Sequence, residues 1–217
     1  MAEDVSAGAT HDLSRSAREE VLGRVRSALS DVAGVPGDEL PGSPRRAPLG
    51  GQALVEHFAE RVADYRAVVE RCSAADIEAT VAAALPEGAS VVVPPGLGFE
   101  VAGAAVDHGM TAAELDKVDA VVTEARAGIA ETGTIVLDHG PGQGRRALTL
   151  VPDRHICVVR ADQVVLDVPD AVAVLGASIA EGRALTWISG PSATSDIELD
   201  RVEGVHGPRK LHVIIAG

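Results

Sequence analysis

The chain is predicted to be an α/β protein of three layers, in which a largely parallel sheet is flanked by helices. Short runs of β-branched residues bounded by turn signals, such as Ser90-Val91-Val92-Val93, are typical of strands buried on both faces, as parallel sheets require. These runs alternate along the chain with helix-period segments, the order that joins parallel strands through helices. A length of 217 residues is enough for one such domain.

The N-terminal part is expected to lie outside this domain. Residues 1–14 are small and polar without a period, which predicts a disordered tail. Ser16 and Glu19 form a capping-box pattern, and apolar residues at helical spacing then predict a helix over about residues 16–30. The rest of the 15–50 segment is rich in proline and glycine and predicts a linker, so the α/β domain is expected at 51–217.

Within that domain the predicted elements alternate. A helix begins near Gln52, a strand follows over about 65–72, and a second helix, capped by Ser73, runs to Pro86. A further helix is expected near residues 169–181. The remaining strands are expected at residues 90–93, 119–123, 134–137, 155–160, 185–188 and 211–215.

Charge and cysteine content narrow the classes of partner. A net charge of −13 repels nucleic acid and anionic membranes. Cys72 and Cys157 are the only cysteines, whereas a cluster generally needs about four thiolates, so no iron–sulfur cluster is expected on this chain. The two thiols and an N-terminus without signal-peptide features favour the cytoplasm. The longest weakly apolar run is too short to span a bilayer, so no membrane insertion is expected.

The first candidate site is the sequence Ala-Glu-Thr-Gly-Thr at residues 130–134, directly before a predicted strand. A carboxylate that enters a sheet edge is costly unless it is paired or solvated. Glu131 is therefore a candidate base, nucleophile or ligand-orienting group, with Thr132, Gly133 and Thr134 binding the substrate beside it. The alternative is that Glu131 caps adjacent backbone donors.

Two glycine-rich loops are further candidates. The loop at residues 138–146 ends in Arg145 and Arg146, whose guanidinium groups suit carboxylate recognition, although a solvated hairpin tip explains the same residues. The loop at residues 94–100 lacks the third glycine of a GxGxxG pattern because Val101 stands there. A structural turn is therefore favoured for this second loop.

The last thirty residues carry the densest group of polar residues, in two loops between apolar strands. A helical turn near Ile197 would present free N–H groups that suit a carboxylate or phosphate. His206 lies in the second loop and could exchange a proton near pH 7, although a loop histidine is more often simply exposed. The residues expected to bind substrate here are Ser189, Gly190, Ser192, Asp196, Glu198 and Gly207.

Several well-known site patterns are missing. The seven histidines form neither HExxH nor HxH, so no metal site is expected. A GxSxG elbow and a GxxxxGK[ST] loop are also absent from the sequence. The cofactor, if the protein has one, is not defined by these patterns.

Four segments taken together resemble the lactate utilization protein C family in order and spacing. The N-terminal helix also matches, so the resemblance covers nearly the whole chain apart from the tail and linker, and the C-terminal motifs are the most specific. One departure is Ser195, where a small apolar residue is expected. The matching segments are AETGTIVL at 130–137, residues 146–155 with LTLVP, SGPSATSDIE at 189–198 and GVHGP at 204–208.

The resemblance implies a cytoplasmic bacterial protein of L-lactate utilization that acts with two iron–sulfur partner proteins in oxidising lactate to pyruvate. It also implies a fold similar to the superfamily of ribose-phosphate isomerases, glucosamine-phosphate deaminases and CoA-transferases. In such sheets small anions bind beyond the carboxyl ends of the strands. We expect all three loop clusters at that edge.

Three hypotheses for the function follow. In the first, the chain is a non-redox subunit that binds a small organic anion, with Glu131, Ser192, Asp196 and His206 lining one cleft. In the second, it is an enzyme in its own right that uses Glu131 as a base or acyl acceptor on a carboxylate or sugar phosphate. In the third, it is a scaffold or regulator. A homo-oligomer is compatible with each.

Overall fold

The computed structural model describes residues 6–31, 49–194, 202–203 and 206–217. The chain divides into two compact units, with the boundary between Arg46 and Ala47. In the first unit, helix α1 (Ser6–Ala28) begins ten residues before the predicted start and includes residues 6–14, which were expected to form a disordered tail. This stretch contains no proline, the residue that most strongly breaks a helix. Residues 32–48 of the predicted linker lie outside the described residues.

The second unit contains a six-stranded sheet with every strand parallel to its neighbours, in the order β1-β12-β7-β4-β2-β3. This confirms the α/β class with a largely parallel sheet. The central strands are apolar on both faces, as a sheet covered on both sides requires. The strands are β1 (Val68–Cys72), β2 (Val91–Val93), β3 (Ala105–Val106), β4 (Ala120–Glu124), β7 (Arg154–Arg160) and β12 (Lys210–Ala216).

A second sheet of four strands, in the order β8-β5-β6-β9, was not predicted. Strand β5 pairs in parallel with β8, whereas β6 pairs antiparallel with both β5 and β9. Two segments that the sequence analysis identified as strands thus belong to this sheet rather than to the parallel one. Its strands are β5 (Ala127–Ile129), β6 (Thr134–Leu137), β8 (Val164–Val165) and β9 (Thr186–Ile188). A separate two-stranded pair consists of β10 (Ala193–Thr194) and β11 (Val202–Glu203).

Helices cover both sheets. Helix α3 (Ile77–Ala84) packs on one face of the parallel sheet, and helix α2 (Gly51–Asp64) packs on the other face together with the second sheet. Helix α5 (Val168–Val174) covers the outer face of the second sheet through Ala171. Phe58 of α2 is fully buried, and its ring lies where a side chain at Gly128 would be, so only glycine fits in β5 at that point.

The helices of the second unit differ from the predictions in three places. Ser73 precedes a 3-10 turn and donates to Asp76 Oδ2 (2.6 Å) instead of capping α3 directly. The segment expected as one helix near 169–181 forms α5, capped by Asp167, and α6 (Gly176–Ala180). The short helix α4 (Ala112–Leu115) was not predicted, and Thr111 and Glu114 form its capping box. Among the described residues, no helix is long and apolar enough to cross a membrane.

Candidate functional site

The Ala130–Gly133 segment is the turn that joins β5 to β6, and it lies beside the end of β9. Thr132 Oγ1 is 2.7 Å from Thr134 Oγ1, which is 2.8 Å from Ser189 Oγ. The structure therefore links two motifs that are distant in sequence through a chain of three hydroxyl groups. Antiparallel pairing of β6 with β9 places them side by side.

Two glycines allow this turn and the loop after β9 to pack against the end of helix α2. Gly133 has a φ of 58°, and a Cβ atom there would lie 2.6 Å from the carbonyl of Arg61. Gly190 has a φ of 86°, and a Cβ atom there would lie 2.5 Å from Cβ of Tyr65. Both positions need glycine for backbone conformation and for space. Both motifs thus pack closely against the end of α2.

The two C-terminal loops are joined through Ser192. The Ser192 N–H donates to Pro208 O (2.8 Å), and the His206 N–H donates to Ser192 Oγ (3.1 Å). Gly207 lies beside the same serine, 3.8 Å from its Cβ at the position of an added Cβ atom. Ser192, His206 and Gly207 therefore form one local assembly. Asp196 and Glu198, predicted to belong to it, lie outside the described residues.

A cavity of about 270 Å³, which we name the hydroxyl cavity, lies between these loops and β9. Its described lining contains one arginine and two histidines but no carboxylate, whereas the whole chain has a net charge of −13. The lining thus offers hydrogen-bond donors to an anion. The polar side chains of the described lining are Arg146, Thr149, His155, Thr186, Trp187, Ser189, Ser192 and His206.

The arginines at positions 145 and 146 have different surroundings. Arg145 binds Asp107 through Nε (2.7 Å) and one terminal nitrogen (3.0 Å), and it also contacts Met110 O. The hydrogen bonds from Arg145 lower the pKa of the buried Asp107 carboxyl to about 2. Arg146 lines the hydroxyl cavity, and its guanidinium has no hydrogen bond or ion pair within the part of the chain that the structure describes. Only Arg146 therefore has the geometry that the sequence analysis expected of the pair.

His155 is a residue of this cavity that the sequence analysis missed. It is the second residue of β7, is fully buried, and meets Thr123 Oγ1 through Nε2 (2.8 Å). Burial lowers the pKa of His155 to about 4, so the imidazole is neutral at pH 7. Its Nδ1 has no hydrogen-bond partner among the described residues. The only sequence signal is a polar residue within an otherwise apolar strand, which a structural histidine also produces.

Glu131 does not line the hydroxyl cavity, nor do Thr132, Gly133 and Thr134. The N–H of Glu131 donates to Leu166 O (3.0 Å), which ties the turn to the segment after β8. These residues border the cavity only through the bond from Thr134 to Ser189. Of the residues expected to line one cleft with Glu131, the described lining of this cavity thus contains Ser192 and His206 but not Glu131 itself.

The position of the cavity also differs from expectation. His155 and Leu211 lie near the amino ends of the parallel strands β7 and β12, whereas anions were expected beyond the carboxyl ends. The loop at residues 138–146 does reach the carboxyl edge, because the Glu124 N–H at the end of β4 donates to Gly142 O (2.8 Å). Gly98 of the loop after β2 donates to Glu124 Oε2 (3.0 Å). The loops thus divide between the two edges of the sheet.

No group of three or more His, Cys, Asp or Glu side chains suited to a metal ion occurs within the described residues. Cys157 is buried in β7 beside Thr123, and burial raises the pKa of its thiol to about 12. A thiol with so high a pKa stays protonated at pH 7 and is a poor metal ligand.

Comparison with known proteins identifies relatives of this chain. Residues 104–216 match the family model described as the LUD domain. The lactate utilization protein C of Deinococcus radiodurans is 47% identical over 206 residues, which are 93% of this chain and 96% of that protein. The protein of the same name from Bacillus subtilis (strain 168) is 35% identical over 98 residues, 43% of this chain and 40% of that protein.

A solved structure is also similar. The crystal structure of a DUF162 family protein from Deinococcus radiodurans superposes with a TM-score of 0.70 at 44% sequence identity. The match covers 78% of this chain and 100% of that chain. It supports the arrangement of strands and helices in the second unit.

Proposed function

Because the chain belongs to the lactate utilization protein C family and has a role in lactate utilization, we propose that it binds a small organic anion, lactate or pyruvate, in the hydroxyl cavity. It would do so as a component of the L-lactate oxidation system and act with two iron–sulfur partner proteins. The expected cytoplasmic location agrees with that role. Binding would place the carboxylate of the ligand against Arg146 and the hydroxyl groups of Ser189 and Ser192.

The observation that carries this proposal is the state of Arg146. A guanidinium with no partner in the described residues lines a cavity whose described lining has no carboxylate. Arginine and carboxylate form charge-assisted hydrogen bonds that are about twice as strong as neutral ones. In a chain of net charge −13, such a cavity is a local region that attracts anions.

Neutral His155 adds selectivity to this arrangement. Because its pKa lies near 4, the imidazole gives no positive charge at pH 7 and offers Nδ1 as a hydrogen-bonding atom. A ligand with a hydroxyl or keto oxygen beside its carboxylate would fit an arginine at one end and a neutral imidazole at the other. Such 2-substituted acids are small ligands, and the cavity of about 270 Å³ is correspondingly smaller than typical drug-binding pockets of about 300–1,000 Å³.

Isothermal titration of L-lactate and of pyruvate into the purified protein tests the proposal. We expect binding by the natural chain and about tenfold weaker binding by Arg146→Gln. The matched control is Arg160→Gln, which removes the same charge from an exposed residue at the far end of β7. Equal affinity in all three proteins would contradict the assignment of Arg146.

The titration also separates the other two hypotheses. Absence of binding by either acid at millimolar concentration would leave the scaffold hypothesis. Turnover of an organic acid by the chain alone, lost in Glu131→Gln, would favour the enzyme hypothesis. Co-purification of the partner proteins from lactate-grown cells, followed by an oxidation assay with and without this chain, tests the partnership itself.

A further inference from the structure

A second cavity of about 320 Å³ lies at the opposite edge of the parallel sheet. Glu124, the last residue of β4, lines it, as does Gln163, which follows the end of β7. Both residues mark the carboxyl edge of the sheet. Crevices outside the carboxyl ends of the strands are the usual ligand sites of open α/β sheets.

Two arginines line this cavity, and both approach the same buried carboxylate. Arg126 Nε is 3.8 Å and Arg183 Nη1 is 3.6 Å from Asp138 Oδ2, which are ion-pair distances longer than a hydrogen bond. The side chains of Arg126 and Arg183 are 44% and 39% exposed, and that of Asp138 is 5% exposed. Arg126 Nη2 also donates to Val174 O (3.4 Å), and Arg183 Nε donates to Glu181. The other N–H groups of the two guanidinium groups have no hydrogen-bond partner among the described residues.

Asp138 accepts its hydrogen bonds from other groups. Ser178 Oγ donates to Oδ2 (2.5 Å), while Gln143 Nε2 (2.8 Å) and the Gly140 N–H (3.2 Å) donate to Oδ1. Burial alone would raise the pKa of Asp138, but these hydrogen bonds and the charge of Arg126 outweigh it and lower the pKa. Asp138 is thus a fixed anion whose oxygens are occupied by other groups of the protein.

Carboxylates complete the charge pattern of the lining. Glu124 accepts the Gly98 N–H through Oε2 and lines the cavity, and Glu181 accepts from Arg183 Nε (2.7 Å). Within the described residues, two cations and three carboxylates therefore line the space. A simple organic anion would increase the excess of negative charge, whereas a zwitterion would leave the balance unchanged. Small residues, Ala125, Gly140, Pro141 and Ala177, form the remaining surface.

We propose that this cavity, named here the arginine cavity and defined by Arg126, Arg183, Asp138 and Glu124, binds a small zwitterionic α-amino acid. The carboxylate of the ligand lies between the two guanidinium groups, and its ammonium group faces Glu124. The small lining residues accept a short side chain. This site is independent of the hydroxyl cavity, since the two share no lining residue.

Isothermal titration with glycine, L-alanine and L-serine tests the proposal, with L-lactate and propionate as acids that lack the ammonium group. We expect at least one amino acid to bind, and Arg183→Gln and Glu124→Gln each to weaken it about tenfold. Arg71→Gln is the control, because Arg71 is exposed and its one ion pair among the described residues is with Glu56, at 3.8 Å. Thermal unfolding of each variant shows that the fold is retained.

Three results would overturn the proposal. One is the absence of amino-acid binding by the natural protein at concentrations up to about 10 mM, ten times a dissociation constant of about 1 mM. A second is tighter binding of L-lactate or propionate than of the amino acids by a site that Arg183→Gln removes. The third is amino-acid binding that Arg146→Gln abolishes and Arg183→Gln leaves intact, which would assign the ligand to the hydroxyl cavity.

Discussion

Thr134 Oγ1 lies 2.8 Å from Ser189 Oγ, although 55 positions separate the two residues. The contact follows from the pairing of Ile135 with Ile188, which puts the first residue of β6 beside the residue just after β9. It joins the turn after β5 to the first C-terminal loop. The candidate site is therefore built on the second, antiparallel sheet as much as on the parallel one.

Replacing either glycine beside helix α2 should destabilise the protein strongly. Gly133→Ala and Gly190→Ala would each combine a left-handed backbone, which costs roughly 1–2 kcal/mol for other residues, with a contact near 2.5 Å. We expect each to lower the free energy of unfolding by about 3 kcal/mol or more in urea denaturation. Gly88→Ala is the control, because Gly88 has a φ of 72° but no atom within 4 Å, and it should lose only about 1 kcal/mol.

His155 should make stability depend on pH between about 4 and 6.5. Its pKa is near 4 in the folded chain and 6.5 as the ordinary value, so the unfolded state binds more protons between these limits. The free energy of unfolding therefore contains the full contribution of the neutral histidine above pH 6.5. This contribution, about 3 kcal/mol at most, is lost as the pH falls towards 4. Urea denaturation at several pH values should show a flatter dependence in His155→Gln. An unchanged slope would mean that the imidazole is not buried in solution.

The ion pair between Asp107 and Arg145 should support stability in a lower pH range. Because Arg145 lowers the pKa of Asp107 from 3.8 to about 2, this stabilisation is complete above pH 3.8 and disappears as the pH falls towards 2. Arg145→Gln should lower the free energy of unfolding at pH 7 by about 2 kcal/mol. The neighbouring Arg146→Gln should change it by less than about 0.5 kcal/mol, since nothing described pairs with that side chain. Similar losses in the two variants would contradict the assignment.

His206 should matter for binding rather than for folding. Its side chain is exposed, and its N–H, which donates to Ser192 Oγ, remains in an alanine variant. His206→Ala should therefore change the free energy of unfolding by less than about 0.5 kcal/mol and weaken binding of lactate or pyruvate. Calorimetric titration and thermal unfolding of the same sample measure both effects. A large stability loss with unchanged affinity would make His206 a structural residue.

The parts of the fold that follow local rules could be predicted from the sequence. Three consecutive valines between turn signals are enough to identify β2. The polar loops of Ser192 and His206, which are close in sequence, are joined by one hydrogen bond. Strand β5 could not be found, because Ala-Gly-Ile carries no strand pattern and its glycine is explained only by the ring of Phe58 from another element. Whether such a segment forms a strand depends on its pairing with segments that are distant in the sequence.

The chemistry of individual site residues was harder to predict for the same reason. Nothing local distinguishes Arg145 from Arg146, since the difference lies in Asp107, which a loop brings to only one of them. His155 is a second example, because its burial depends on the strands that lie on both sides of β7. The charges that line the arginine cavity come from three separate segments, at residues 124–126, 138 and 181–183, and no sequence motif contains them.

The attachment of both site loops to the end of helix α2 has a practical consequence for protein engineering. An inserted tag or fluorophore near Tyr65 would displace the loops at Gly133 and Gly190 together, and with them the hydroxyl cavity. The turn at Gly88, where an added Cβ atom meets nothing within 4 Å, offers an attachment point without that penalty. A reporter of ligand binding is therefore best placed at the tip of the turn between α3 and β2.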